Sequence, residues 1–307
     1  MDPRRLELLL ELSRLGSMRE VAETMNVTTS TVSQQIAALA REVGSPLVEP
    51  EGRRVRLTPA GRRLADHAVT ILAAVEAARV DLDPSAAPAG ELRVAAYATA
   101  VRRFLLPVAR VLDEHHPAVR LLIQEHEPDE SLDLLLADDV DLALTYDYNL
   151  APASDDPLLA AVPLSSTRWG LGVPAPAPDL PGDSLAVVDR FRDQNWIVNS
   201  RNVADEQVVT TLASLAGFRP RIAHRADSLE LVQDMMLAGL GVGLLPADQP
   251  TLDGVAVCPL PNPEVVLRGF AVTRRGRADW PPLALVLRLL QPGRLAAALT
   301  RSRAAGR

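Results

Sequence analysis

Apolar residues first recur at helical spacing in Leu6, Leu9, Leu10 and Leu12, which predicts an amphipathic helix over residues 3–15, ended by Gly16. Ser17-Met18-Arg19-Glu20 has the spacing of a capping box and opens a short helix through Val21, Ala22 and Met25. Asn26-Val27 makes a turn, and Thr28 caps a longer helix with the apolar stripe Val32, Ile36, Leu39 and Val43. After Gly44, Leu47-Val48-Glu49 and Arg54-Val55-Arg56-Leu57 alternate as two short strands around Pro50-Glu51-Gly52-Arg53, which reads as a β-hairpin. Thr58-Pro59 starts a fourth helix with proline at its first position. Along it Leu64, Ala68, Ile71, Val75, Ala78 and Leu82 fall at intervals of 4, 3, 4, 3 and 4, an a/d seam. A helix that joins two domains has little of its own chain beside it, so this seam is expected to face a second copy.

Pro84-Ser-Ala-Ala-Pro-Ala-Gly90 reads as a boundary, and beyond it strands and helices alternate. Strands are expected at Leu92–Ala96, Val119–Glu125, Leu142–Tyr146, Ala160–Leu164 and Trp169–Val173, then at Trp196–Asn199, Arg221–His224, Val242–Leu244 and Val265–Arg274. Helices are expected over Val101–His115, Glu130–Ala137, Ala204–Ala216, Ser228–Ala238 and Pro282–Leu290. Repeated βα units predict mostly parallel sheets with helices on both faces. Two series with a late return predict two lobes joined by crossing strands. The expected organisation is an N-terminal all-α winged helix-turn-helix domain (1–58), a linker and dimerisation helix (59–83) and a hinge (84–90). A C-terminal α/β two-lobed domain follows (91–292; lobe I about 91–161 and 267–292, lobe II about 162–266), then a disordered tail (293–307).

Composition narrows the function. The uncharged, mostly apolar run Met235–Ala247 has 13 residues, and the longer uncharged run Thr24–Ala40 is polar in its first half and has 17, both short of the ~18 that span a bilayer. Asp2, Arg4, Arg5 and Glu7 leave no room for an export signal, so a cytoplasmic protein without membrane contact is expected. The net charge of −7 is uneven: residues 1–63 carry 10 arginines against 8 acids, and residues 84–307 carry 21 against 27. All 32 basic residues are arginine. The single cysteine, Cys258, cannot form an internal disulfide and reads as a small buried hydrophobe. Aromatics are 3%, from which a pocket with aliphatic walls is expected.

A short helix, a turn and a threonine-capped helix make a helix-turn-helix, whose second helix offers polar side chains to base edges in the major groove. Here that face is Thr28, Thr29, Ser30, Ser33, Gln34 and Gln35, with Val32 and Ile36 turned inward. Glutamine bonds adenine bidentately, and a threonine methyl meets a thymine methyl. Arg53, Arg54 and Arg56 on the hairpin suit phosphates or a narrow minor groove.

These residues resemble the N-terminal domain of LysR-type transcriptional regulators. The matching pieces are Gly16-Ser17, Val21-Ala22-Glu23, Asn26-Val27-Thr28, Val32-Ser33-Gln34-Gln35-Ile36, Leu39, Glu42-Val43-Gly44, Pro46-Leu47, Gly52-Arg53-Arg54-Val55-Arg56-Leu57-Thr58 and Ala60-Gly61. Thr29-Ser30 departs from the family's usual Gln-Pro and changes the groove-facing chemistry. The resemblance continues more loosely to about residue 292 and implies a body with the fold of periplasmic solute-binding proteins. It also implies linker-helix dimers, often paired into tetramers, on an interrupted inverted repeat of double-stranded operator DNA, with RNA polymerase as a further partner.

Ligands of such sheets sit beyond the carboxyl ends of strands, where helix N-termini present free N–H groups. That rule selects Tyr97, Ala98, Thr99 and Ala100, Tyr146, the run Asn199-Ser200-Arg201, and Asp227 with Ser228. Converging helix N-termini favour a small anionic effector, reinforced by Arg201. No catalytic constellation, cofactor motif or metal set emerges. Gly239-Leu-Gly241-Val-Gly243 follows a helix and enters a strand, the reverse of a dinucleotide fingerprint, and His115-His116 diverge as neighbours. The expectation is a regulator rather than an enzyme. A transport-type solute-binding protein and a DNA-binding regulator without effector are the alternatives.

Overall fold

The computed structural model describes residues 1–307 except 52–53, 84–86, 155, 178–181, 292 and 296–307, and gives only the backbone of Arg54 and Asp81. Arg53, the first part of the expected hinge and most of the expected tail therefore lie outside the described residues. Leu295, within that tail, packs against the core of the body.

The head is α1 (Pro3–Leu15), α2 (Met18–Thr24), α3 (Thr29–Val43) and an antiparallel hairpin of β1 (Val48–Glu51) with β2 (Arg54–Leu57). Each helix begins where a side chain satisfies an orphan N–H. Asp2 accepts from the Arg4 N–H (3.0 Å), Ser17 Oγ from Glu20 (3.4 Å) and Thr28 Oγ1 from Thr31 (3.1 Å). Leu6, Leu9, Val21, Val32, Ile36, Leu39 and Leu47 form its fully buried core.

Helix α4 (Pro59–Leu82) corrects the seam at one position, Ala68. Ala68 is buried in the head's own core, and Leu64 and Ile71 pack partly against it. Val75 is half-buried, while Ala78 and Leu82 are exposed. Helix α1 packs along α4, so the end of the seam nearest the head lies partly against the chain's own fold.

The body begins with β3 (Gly90–Ala96), followed by α5 (Ala98–Ala100), a π-helical turn over Val101–Leu105 and α6 (Leu106–His115). Pro107 has no N–H to return to the Arg103 carbonyl, which accounts for the widened turn. Next come β4 (Val119–Glu125), α7 (Pro128–Leu136) and β5 (Leu142–Tyr148), then β6 (Leu159–Pro174), α8 (Ser184–Arg190), β7 (Asn195–Val198) and α9 (Ala204–Leu215). The chain ends with β8 (Arg221–Arg225), α10 (Leu229–Leu237), β9 (Val242–Pro246), β10 (Val255–Cys258), β11 (Val265–Arg274) and α11 (Pro281–Leu290).

Strand order is β4-β3-β5-β11-β6-β9-β7-β8, with β10 beside β6. Parallel pairing holds toward both edges, but β11 is antiparallel to β5 and β6, and β6 to β9 and β10. The expectation of mostly parallel sheets therefore fails at the centre. The two strands expected near Ala160–Leu164 and Trp169–Val173 are one 16-residue strand, β6. Its polar middle, Ser165-Ser166-Thr167-Arg168, reads as a break, yet it pairs with β11 across the join between lobes. A bulge at Gly269/Phe270 accommodates Pro163 there.

The body also touches α4. Arg274, 8% exposed, pairs with Asp66 at 2.5 Å and with Asp138 at 3.8 Å. Gly276 has φ +83°, and a Cβ at that position would overlap the Thr70 side chain on α4, so this turn needs glycine both for its backbone and for the close approach.

Candidate functional site

On α3, Thr28, Thr29, Ser30, Ser33 and Gln34 are exposed together at the N-terminal end. Thr28 Oγ1 lies 2.8 Å from both Ser30 Oγ and Thr31 Oγ1, so these hydroxyls form a ready-oriented cluster. Gln35 differs: it is half-buried, and its Oε1 accepts from Arg5 Nε of α1 at 2.9 Å. Arg56 on the hairpin is paired with Glu49 (2.6 Å) and Glu51 (3.9 Å). Arg54 opens β2, opposite Glu51.

In the body, a cavity of about 370 Å³ opens between the lobes. Tyr97, Ala98 and Thr99 reach it from the turn after β3, Asn199 from beyond β7, and Asp227 and Ser228 from the start of α10. Tyr146 lines it from inside β5, which runs to Tyr148 rather than ending at Tyr146. Ala100 lines an adjoining cavity of about 440 Å³ that shares Tyr97, Thr99, Arg102 and Trp169 with the first. The walls combine the aliphatic Ile197, Val198, Val232, Leu244, Leu245 and Leu267 with aromatic residues. Tyr97, Tyr146, Tyr148 and Trp169 stack edge to face, with centroids 4.8, 6.1 and 5.6 Å apart, and three of the four line the cavity.

Ser200 and Arg201 do not line either cavity. The Ser200 N–H and hydroxyl donate to Asp227 at 2.7 and 2.6 Å. Arg201 donates through Nε to Asp227 at 3.0 Å and lies 3.4 Å from Glu130 and 3.7 Å from Glu125. An arginine facing three carboxylates is already neutralised, so its expected service to an anion is corrected. It joins the lobes instead, as do Arg102 with Glu230 (3.0 Å) and Asn199 with Glu127 (3.3 Å).

Glu127, Asp205, Arg103 and Trp169 are among the pocket residues that escaped the strand-end reading. Glu127, 5% exposed, accepts from the Tyr146 hydroxyl (3.0 Å), and burial raises its carboxyl above the usual range despite that bond. Burial pushes Asp205 up to about 6. Tyr148 lies beside Asp205 and tempers the shift, but no well-aligned hydrogen bond joins them, and Asp205 Oδ1 is sealed from solvent without a partner. Burial works against Asp227 as well, but the bonds from Ser200 and Arg201 outweigh it and hold that carboxyl below the ordinary value. Arg103, on the π-helical turn, donates to Thr167 Oγ1 at 3.4 Å and has no carboxylate partner among the described residues. Trp169 is 9% exposed, and its indole N–H has no partner. Burial with a nearby carboxylate lifts the Tyr97 phenol to about 12 even though Arg103 opposes it.

Two family models match the chain: the bacterial regulatory helix-turn-helix of the lysR family over residues 3–62, and the LysR substrate binding domain over residues 85–293. The chain belongs to the LysR family. Its relatives in that family include the transcriptional dual regulator GltC of Bacillus subtilis, 27% identical over 77% of this chain and 81% of that protein. The DNA-binding transcriptional dual regulator OxyR of Escherichia coli is 30% identical over 86% of each. Among solved LysR-type folds, full-length OxyR from Pseudomonas aeruginosa superposes with TM-score 0.67 at 20% identity, over 94% of this chain and 93% of that one. ArgP from Mycobacterium tuberculosis gives 0.65 at 23% identity over 97% of each. The chain is thus a LysR-type DNA-binding transcriptional regulator with an effector-binding domain. Among the described residues no helix is long and apolar enough to cross a membrane.

Proposed function

We propose a cytoplasmic, non-enzymatic regulator that reads operator DNA through the N-terminal face of α3 and senses a small metabolite between the lobes. The metabolite is read as carrying an anionic group. The observation that carries this reading is the pair of adjoining interlobe cavities with Arg103 beside them, lacking any carboxylate partner among the described residues. Thr28, Thr29, Ser30, Ser33 and Gln34 are assigned to base edges, and Arg53 and Arg54 to phosphates. Gln35 and Arg56 are assigned weaker roles, since each must first give up a partner within the head. Ligand acts on DNA only through its different affinity for two arrangements of lobes and subunits, which alter the tilt of paired heads and the contact with polymerase.

Its relatives include four that carry the name "Hydrogen peroxide-inducible genes activator". Peroxide chemistry needs an accessible thiolate, whereas Cys258 is buried and burial raises its thiol. A metabolite, not an oxidant, is the signal that suits this body.

Selection of bound fragments from random duplex DNA, followed by salt titration, tests the DNA assignment. Gln34→Ala is expected to relax preference at particular bases by about 1–3 kcal/mol. Arg54→Ala is expected to weaken binding to all sequences and flatten the salt slope by about one unit. No preference for any fragment over bulk duplex would overturn the reading. Self-association is assigned to the far half of the seam, Val75, Ala78 and Leu82. Val75→Asp is therefore expected to shift the protein to monomer in sedimentation at micromolar concentration, and an unchanged oligomer would move the contact elsewhere.

A further inference from the structure

The interlobe pocket is charged in two parts. Glu127 and Asp205 line the first cavity and not the second, while Arg103, Ser165, Thr167 and Asp248 line the second and not the first, and Arg102, paired with Glu230, borders both. Tyr97, Thr99 and Trp169 form the wall common to both.

At the acidic end Glu127 is buried and Asp205 is half-buried with its Oδ1 shut off from solvent, and no arginine lies within ion-pair distance of either among the described residues. Glu127 has neutral donors only, from Tyr146 and Asn199. Asp205 Oδ1 has none. A buried carboxylate without a counter-charge is costly, and its charged form is disfavoured; both groups show that cost as a raised pKa. A bound cationic nitrogen would remove it. At the other end the exposed Arg103 has no ion pair, and the nine-tenths-buried Trp169 has an indole N–H without an acceptor, among the described residues. An oxygen-bearing anion satisfies both.

We propose that the effector is a zwitterion of the amino-acid class, its ammonium held by Glu127 and Asp205 and its carboxylate received by Arg103 and the Trp169 indole. This rests on the interlobe pocket being the effector site. An acid lacking nitrogen leaves the two carboxylates bare, and an amine lacking a carboxylate leaves Arg103 and Trp169 bare. Each half-ligand is therefore a poor fit, which makes the pocket selective against both.

Calorimetric titration of the full-length protein with the common L-amino acids tests this. Each is compared with its deaminated acid and its decarboxylated amine. At least one amino acid is expected to bind, with both truncated analogues weaker by about tenfold or more. Asp205→Asn and Glu127→Gln are expected to weaken that amino acid by a similar factor and to leave the deaminated acid unaffected. Loss of affinity below about pH 6 should appear in the wild type and vanish in Asp205→Asn. If none of the amino acids binds, or a nitrogen-free acid binds as well as any, the proposal is overturned. A separate variant, Ala98→Trp, fills the pocket. Binding lost in Ala98→Trp but retained in both carboxylate variants would overturn the zwitterion and keep the site. Binding retained in Ala98→Trp would overturn the site itself.

Discussion

Replacing Asp141 by alanine is expected to destabilise the body by about 3–5 kcal/mol, the largest loss from a single side chain here. The Asp141 side chain is 2% exposed. Its oxygens accept from the Arg93 backbone N–H (2.9 Å), from Arg93 Nε and Nη2 (3.2 Å each) and from Arg277 Nη2 (3.3 Å). Removing it leaves two half-buried guanidinium groups without the carboxylate they share. Arg277 is the worse placed: its Nε already lacks a partner, and its guanidinium is packed 4.4 Å from the Trp280 ring centroid. Asp141→Asn keeps one acceptor and is expected to cost less. Urea unfolding followed by tryptophan fluorescence checks both, because Trp169, Trp196 and Trp280 all lie in the body. A shift under about 1 kcal/mol for the alanine variant would mean the arginines find other partners.

Asp205→Asn should move stability in the opposite direction. A carboxyl raised to about 6 in the folded chain, against an unfolded value of about 3.9, binds its proton more tightly when folded. Its favourable contribution is complete below about pH 4 and is lost as pH rises through about 6. By about pH 7.5 the ionised group opposes folding by up to about 3 kcal/mol. Asparagine carries no charge at either pH, so the variant is expected to be more stable than the parent at about pH 7.5 and equal to it near pH 4. Melting at the two pH values checks the sign, and equal effects at both would show that Asp205 is not the titrating group. Read beside the titrations above, the same substitution should strengthen the fold and weaken the ligand. That combination identifies a side chain kept for binding.

The head was legible because its signals are local. Thr28 and Thr58 each cap the helix they precede, and the Val32-Ile36-Leu39 stripe lies wholly on the core side. The seam of α4 was legible as spacing, but the burial of Ala68 in the head was not, since α1, which packs along α4, lies about fifty residues earlier in the chain. In the pocket, the strand-end rule reached Tyr97, Thr99 and Asn199, whose position follows from backbone geometry alone. It missed Glu127, although three residues on Glu130 accepts the Glu127 N–H at 3.1 Å, a spacing that could have marked the helix start and so the strand end. Asp205 and Arg103 lie within helical stretches, where sequence gives no sign of which side faces a distant strand. Arg201 misled for the same reason: Glu125, Glu130 and Asp227, which absorb its charge, come from three other segments.

Strand β11 has a mechanical consequence. Leu267 touches both cavities, and Arg274, seven residues along, grips Asp66 on the helix that bears the head, a run of about 23 Å at roughly 3.3 Å per residue. Ladders to β5 and β6 flank the strand on either side, so it behaves as a stiff rod rather than a tether. Any rocking of the lobes around a guest must then be levered onto that helix, unless the grip at Arg274 gives way first.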